Sequence, residues 1–356
     1  MDIQKELDQP KQLLGELPAT SISGNNILSS VLYTVSSVAA TSGKLMPIPL
    51  LLVSAVLFYF RFIYEEVITT IPMNGGTYNA LLNTTSKRTA AFAACLGILS
   101  YLATGVVSAT NSVCYLNNQV SIPIVGSTIF LLGAFALLAV MGISDSSRVA
   151  VIFLHHIVML SILFVSRVVY GIQHRTCSTR TCTQTSMLGI TGFESSSNYV
   201  EEQQPGVFRK TLRNMWGLVT VFNVGLGASI LAVLPLEGSN GIYANEDALL
   251  AKVGREALGR WFEAWVCVDA FVVLCGAVLT SYVGICGLVD RLLPSFLAET
   301  NKLRGTNHYI IGIYFQLASS LVLISNANAT TVNGVYTYAF LGLIALFSCA
   351  CMLLKS

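Results

Sequence analysis

Charge is what this chain has least of. Only 11% of its 356 residues are Asp, Glu, Lys or Arg, against roughly 25% in soluble domains. With 54% hydrophobic residues and a mean hydropathy of +0.67, repeated apolar runs near 20 residues read as spans of a polytopic membrane protein. The net charge is +2, so there is no basic excess of the kind that recruits nucleic acid, and no such partner is expected. An apolar leader is missing too. The opening stretch, MDIQKELDQPKQLLGELPAT, is polar and has no h-region, so no cleavable signal is expected. The first membrane segment then acts as the insertion signal. Enzyme patterns are also lacking: there is no Ser-His-Asp, H-E-x-x-H or phosphate-loop pattern. That disfavours an integral-membrane enzyme and ATP-driven pumping, and it implies no cofactor.

What is present is a series of ten apolar segments, at 22–42, 47–71, 89–116, 123–142, 149–170, 185–201, 216–236, 262–286, 309–325 and 332–354. Lengths near 20 residues, rich in Leu, Ala, Gly and Ile, require helices; a membrane barrel would show shorter alternating segments of about 10. Lys and Arg bias the loops toward a cytoplasmic N-terminus, with Lys5, Lys11, Lys87, Arg88, Arg209, Lys210 and Arg213 on the inner side. Cys95, Cys267, Cys275 and Cys286 lie inside apolar runs and read as small membrane-core residues.

Two segments are interrupted. Residues 187–216 read MLGITGFESSSNYVEEQQPGVFRKTLRNMW, an apolar run broken at Gly189 to Glu194. Residues 21–30 read SISGNNILSS. Glycines and polar groups inside hydrophobic segments suit helices that unwind where they line a cavity. Paired interruptions at matching places in two halves point to a transporter's substrate site. The second segment carries Arg61 and Glu65, four residues apart and able to pair on one helix face. It is followed by Pro72-Met73-Asn74-Gly75-Gly76-Thr77-Tyr78, which ends or bends that helix.

This last stretch resembles the P-x-x-G-G-x-Y signature of the amino acid–polyamine–organocation permease superfamily. Residues Gly189 to Pro205 resemble that superfamily's sixth transmembrane segment, and Ser23 to Leu28 sit where it has a Gly-x-Gly break in the first. The resemblance runs from about residue 20 to the end, apart from 171–184. It implies an all-α polytopic membrane protein of two inverted five-helix repeats with broken helices 1 and 6. The expected division is a cytoplasmic tail at 1–20, a first repeat at 21–170, an atypical polar loop at 171–184 and a second repeat at 185–356.

There are two departures from that pattern. The family usually has twelve segments, whereas ten are found here, so helices 11 and 12 are expected to be absent. Residues 171–185 read GIQHRTCSTRTCTQT, polar and basic where the family has an apolar half-helix. His174, Cys177 and Cys182 lie within it. One His and two Cys make too small a set for zinc, and a disulfide or free thiols remain open.

The resemblance also implies site residues. Gly24, Asn25 and Asn26 are expected to cradle a substrate carboxylate at a helix break, with Asn26 standing where the family has glycine. Gly192 and Phe193 are expected to face substrate, with Gly24 and Gly192 opposed across a cavity. Glu194, an ionisable residue in a membrane segment, binds a substrate ammonium, carries a proton or forms a structural pair. His156 matches a family position and is either a proton-coupling group or a satisfied core histidine; His155 beside it could also titrate near neutral pH. Asp269, Thr280 and Ser281 are weaker candidates. Thr280 and Ser281 would serve a sodium ion, although hydroxyls in helices usually bond their own backbone. The implied function is secondary transport of amino acids or related amines by alternating access, in the plasma membrane, with a coupling proton or sodium ion as further partner. The alternative is a truncated permease that does not transport and either misfolds or supports a full-length relative.

One prediction follows for 171–185. Each Arg at mid-membrane costs roughly 2.5–3.5 kcal/mol on insertion scales, so Arg175 and Arg180 place the stretch outside the hydrocarbon. Cys177 and Cys182 are predicted to react with a membrane-impermeant maleimide in intact cells. Protection of both by lipid would contradict this.

Overall fold

The computed structural model describes residues 13–73, 75–141, 146–171, 197, 200–238, 241–289 and 307–355. Their backbone is organised as helices in chain order: α1 Glu16–Ser29, α2 Val31–Ser42, α3 Pro47–Thr70, α4 Gly76–Thr84, α5 Lys87–Asn117, α6 Ile124–Val140, α7 Ser146–Gly171, α8 Val207–Val233, α9 Leu249–Leu258, α10 Arg260–Val289, α11 His308–Ser325 and α12 Ala329–Lys355. Among the described residues the only bridge between extended segments joins Leu14 to Gln203 in parallel. Among the described residues, six helices are long and apolar enough to cross a membrane: 47–70, 87–117, 207–231, 260–289, 308–325 and 331–354. Ile124–Val140 and Ile152–Ser166 are shorter apolar helices. The chain is an all-α polytopic membrane protein, as its apolar segments predict. Nine of the ten fall on helices; the sixth, at 185–201, lies almost wholly outside the described residues.

Helix α5 is the axis of the bundle. It packs along α10 and α12 and also touches α4, α6 and α11. Its sequence alternates large residues with Ala, Gly and Ser, which lets backbones approach closely. Gly105 leaves room for Tyr314 of α11 and Ser281 of α10, and a methyl on Gly284 of α10 would sit 2.5 Å from the Tyr101 ring. Tyr314 Oη lies 2.8 Å from Tyr101 O and 2.9 Å from Ser281 Oγ, which joins three helices through one buried hydroxyl. Outer helices instead expose apolar side chains such as Phe130, Leu137 and Ile324. In water that would be a liability; a lipid-facing helix has no such penalty.

The junction after α3 follows the sequence. The helix stops at Thr70, and Gly75 takes φ +100° as the N-cap of α4. That conformation favours glycine, and a methyl there would also meet Asn79 Nδ2 at 2.8 Å.

Two expectations are corrected. Arg61 does not pair with Glu65. Its guanidinium lies 4.7–5.7 Å from the rings of Phe62, Phe58 and Trp216, a cation–π nest, while Glu65 Oε1 takes Arg209 Nε at 3.0 Å. Nor is the first helix unwound at Gly24 to Asn26, which lie inside α1. The ladder is interrupted at Ser30 instead, and Ser30 keeps helical dihedrals of φ −65°, ψ −25°. The physical cause is local. Ser29 Oγ donates to Asn26 O at 2.8 Å and Ser30 Oγ to Ile27 O at 2.6 Å, so hydroxyls compete with backbone N–H groups for those carbonyls. Gly24 serves packing: a methyl there would sit 2.5 Å from the Phe153 ring of α7.

The small-residue contact on α5 is testable. Gly105→Val is predicted to lower stability by about 1–3 kcal/mol through overpacking against Tyr314 and Ser281. Gly126→Ala on α6, with nothing within 4 Å, is predicted to be neutral or stabilising by up to about 1 kcal/mol. Thermal unfolding in detergent reads both, and indistinguishable Tm values would rule the packing account out.

Candidate functional site

The site is built on α1, which lies between α7, α8 and α10. Ser23, Asn25 and Asn26 are each at most 2% exposed. Yet Ser23 Oγ, Asn25 Oδ1 and Asn26 Oδ1 accept or donate no hydrogen bond. Leaving one such group unsatisfied costs about 1–3 kcal/mol. Three together on one helix need a partner, and a bound polar ligand is one. Ser23 and Asn26 are three residues apart and share a face. Asn25 points at α10, where a methyl on Gly276 would come within 2.8 Å of Asn25 Nδ2. Gly276 therefore makes room for the carboxamide.

Two turns along the same face of α10 from Gly276, Asp269 makes the second part of the site. Its carboxylate is 1% exposed, and Oδ2 lies 2.6 Å from Nδ1 of His156 on α7, a ring with no exposed surface. The other nitrogen, His156 Nε2, is 3.4 Å from Leu28 O of α1. Both ring nitrogens thus face acceptors, and the doubly protonated ring satisfies both. The imidazole ties α7 and α10 to α1 two residues before the Ser30 interruption. Half-exposed His155 completes the cluster. Its Nε2 accepts a hydrogen bond from Trp265 Nε1 at 2.9 Å and stands 3.5 Å from Asp269 Oδ1.

The other expected residues are placed differently. Thr280 Oγ1 donates to Ala277 O at 2.9 Å and Ser281 Oγ to Val278 O at 2.6 Å, so both hydroxyls are engaged by their own helix. Gly192, Phe193 and Glu194 lie outside the described residues, as do Cys177 and Cys182. Among the described residues no group of three His, Cys, Asp or Glu is placed to hold a metal.

A polar clasp closes one end of α1. Asn214 Nδ2 donates to Glu16 Oε1 at 3.0 Å. Lys210 and Arg213 of α8 stand 3.4 and 3.7 Å from the same carboxylate. Gln204 N donates to Leu14 O at 3.0 Å. The Asn214 amide holds the Glu16 carboxyl below its ordinary range; partial burial opposes this, and Lys210 and Arg213 add to it. Trp265, the Leu28 carbonyl and this clasp had no sequence signal. Each depends on contacts between distant elements.

The amino acid permease family matches residues 14–356. The chain belongs to that family. No curated protein matches it. Among solved structures, the permease is similar to a Na+-coupled sialic acid symporter, with a TM-score of 0.64 at 13% identity over 92% of this chain and 79% of that one. It is also similar to a manganese transporter from Eremococcus coleocola, with a TM-score of 0.50 at 11% identity over 94% and 77% of the two chains. At such identities the likeness concerns the fold. The permease is a membrane transporter by family.

The clasp carries a pH prediction. A carboxyl whose folded pKa is depressed contributes stability that is fully present above the ordinary value of 4.5 and is lost as pH falls through the folded value. Wild type is predicted to unfold at higher temperature than Glu16→Gln at neutral pH, the two converging as the medium is acidified below 4.5. A difference in Tm that stays constant with pH would exclude the carboxylate as its source.

Proposed function

We propose that this permease moves amino acids or related amines by alternating access, with α1 as the substrate helix and the His156–Asp269 pair as its proton-coupling site. The observation that carries the proposal is the trio of buried, unpartnered oxygens on Ser23, Asn25 and Asn26, next to a buried ion pair that bonds the same helix. An amino acid brings one ammonium and one carboxylate. A carboxamide offers an acceptor and a donor, so Asn25 and Asn26 suit either end of that ligand. Side chains here take the role that free backbone groups have in an unwound helix. Gly192, Phe193 and Glu194 remain the proposed contacts from the second half.

Proton coupling is favoured over sodium by the chemistry of the donors. Of the hydroxyls that would serve sodium, Thr280 and Ser281 each donate to their own helix, and the Ser281 oxygen is also taken as acceptor by Tyr314 Oη. His156 and Asp269 hold a proton between them and bridge α7, α10 and α1. Two inverted repeats, a plasma-membrane location and a cytoplasmic N-terminus belong to the same proposal. They rest on the family resemblance and on the Lys and Arg distribution.

Uptake of a labelled amino acid panel into proteoliposomes tests the substrate class. At least one neutral or cationic amino acid is predicted to accumulate. Asn25→Ala is predicted to raise KM roughly tenfold, the equivalent of about 1.4 kcal/mol. Unaltered KM in a folded Asn25→Ala protein would remove α1 from the substrate site, and no uptake of any amino acid would remove the substrate class.

A further inference from the structure

His155 is placed for a task the ion pair does not perform. Its Nε2 has two partners in reach that demand opposite protonation states. Trp265 Nε1–H, at 2.9 Å, needs a bare nitrogen to accept its proton. Asp269 Oδ1, at 3.5 Å and without a hydrogen bond of its own, needs a protonated one to donate. One ring nitrogen cannot serve both.

We propose that His155 is a protonation switch for the Asp269–His156 pair, deepening the proton-coupled reading above, on which it rests. In the neutral state Trp265 is bonded to His155, and Asp269 serves His156 alone. When a proton arrives at Nε2, the indole N–H loses its acceptor and the imidazolium turns to Asp269 Oδ1. The carboxylate then divides its charge between two imidazoles. His156 is held less tightly, and with it the link to Leu28 O on α1. Half of the His155 side chain lies at the surface of α7, whereas His156 is fully enclosed, so of the two rings His155 has room to turn.

Among the described residues, other charged groups on the elements packed against α7 are committed elsewhere, apart from Arg260, which opens α10 nine residues before Asp269. On α10, Glu263 takes Asn118 and Arg255. On α9, Lys252 pairs with Glu256. On α8, Arg209 pairs with Glu65, while Lys210 and Arg213 hold Glu16 of α1. Among the described residues, Asp269 and His156 are the titratable groups clustered with His155.

The test follows the indole itself. The chain has 3 tryptophans. In protein labelled with 5-fluorotryptophan, the 19F resonance of Trp265 is assigned by its loss in Trp265→Phe, with Trp216 as internal standard. That resonance is predicted to shift in one step as pH is scanned over about 5 to 8, where histidines titrate as a class. The step is predicted to vanish in His155→Gln, whose amide oxygen can still accept from the indole, and to persist in His156→Gln. His155→Asn serves if the Gln variant does not fold. A pH-independent Trp265 resonance in wild type, or a step that survives in folded His155→Gln or His155→Asn, overturns the switch. The measurement needs no transport. A titrating resonance without amino acid uptake would overturn the proposed function and leave the switch standing; uptake with a fixed resonance would do the reverse.

Discussion

A bilayer supplies no water to satisfy polar atoms, so every buried donor and acceptor must find its partner within the protein or its ligand. That constraint organises this permease. Most hydroxyls on the spans turn back onto their own helix, as Thr104, Ser161 and Ser229 do. Where side chains reach across, they tie particular helices together: Tyr115 donates to Leu32 O, Tyr282 to Leu132 O and Trp216 to Ser54 O. Unpartnered buried oxygens also occur on other helices, at Ser108, Thr110 and Thr211 for example, but Ser23, Asn25 and Asn26 place three within four residues of α1. A polar group kept buried without a partner is costly unless something else fills the role.

The helices were legible because composition and periodicity are local properties. Long apolar runs such as 87–117 and 260–289 can only span or pack, and the Pro72–Gly76 stretch ends a helix by its own backbone preferences. The location of the break in the first segment was not legible in this way. Glycine and two asparagines look like helix breakers in isolation, yet Gly24 lies inside α1 with the Phe153 ring packed against it, and the serines at 29 and 30 disturb the ladder instead. Hydroxyl-to-carbonyl bonds at 29 and 30, rather than the glycine, mark the weak point.

The site was only half legible, for a related reason. Asn25 and Asn26 stood out as polar residues in an apolar run. His156 stood out as titratable. Their partners did not, because His156 and Asp269 are 113 residues apart in sequence and nothing local links them. Arg61 shows the opposite error. Its spacing from Glu65 favours a pair within one helix, but aromatic rings from α3 and α8 surround the guanidinium, and Arg209 claims the carboxylate. A local pairing rule yields when a neighbouring helix supplies a better partner.

The clasp at Glu16 and the ion pair at His156 hold the two ends of α1 against different helices, α8 on one side and α7 with α10 on the other. Movement of α1 must release at least one of them, and in the proposed mechanism this is what couples transport to protonation. The most direct test measures proton movement alongside substrate. Proteoliposomes loaded with a pH-sensitive dye, given a transported amino acid and no ion gradient, are predicted to show lumenal acidification in step with uptake, and Asp269→Asn to abolish it. Uptake without any change in lumenal pH, equal in wild type and Asp269→Asn, would contradict the account.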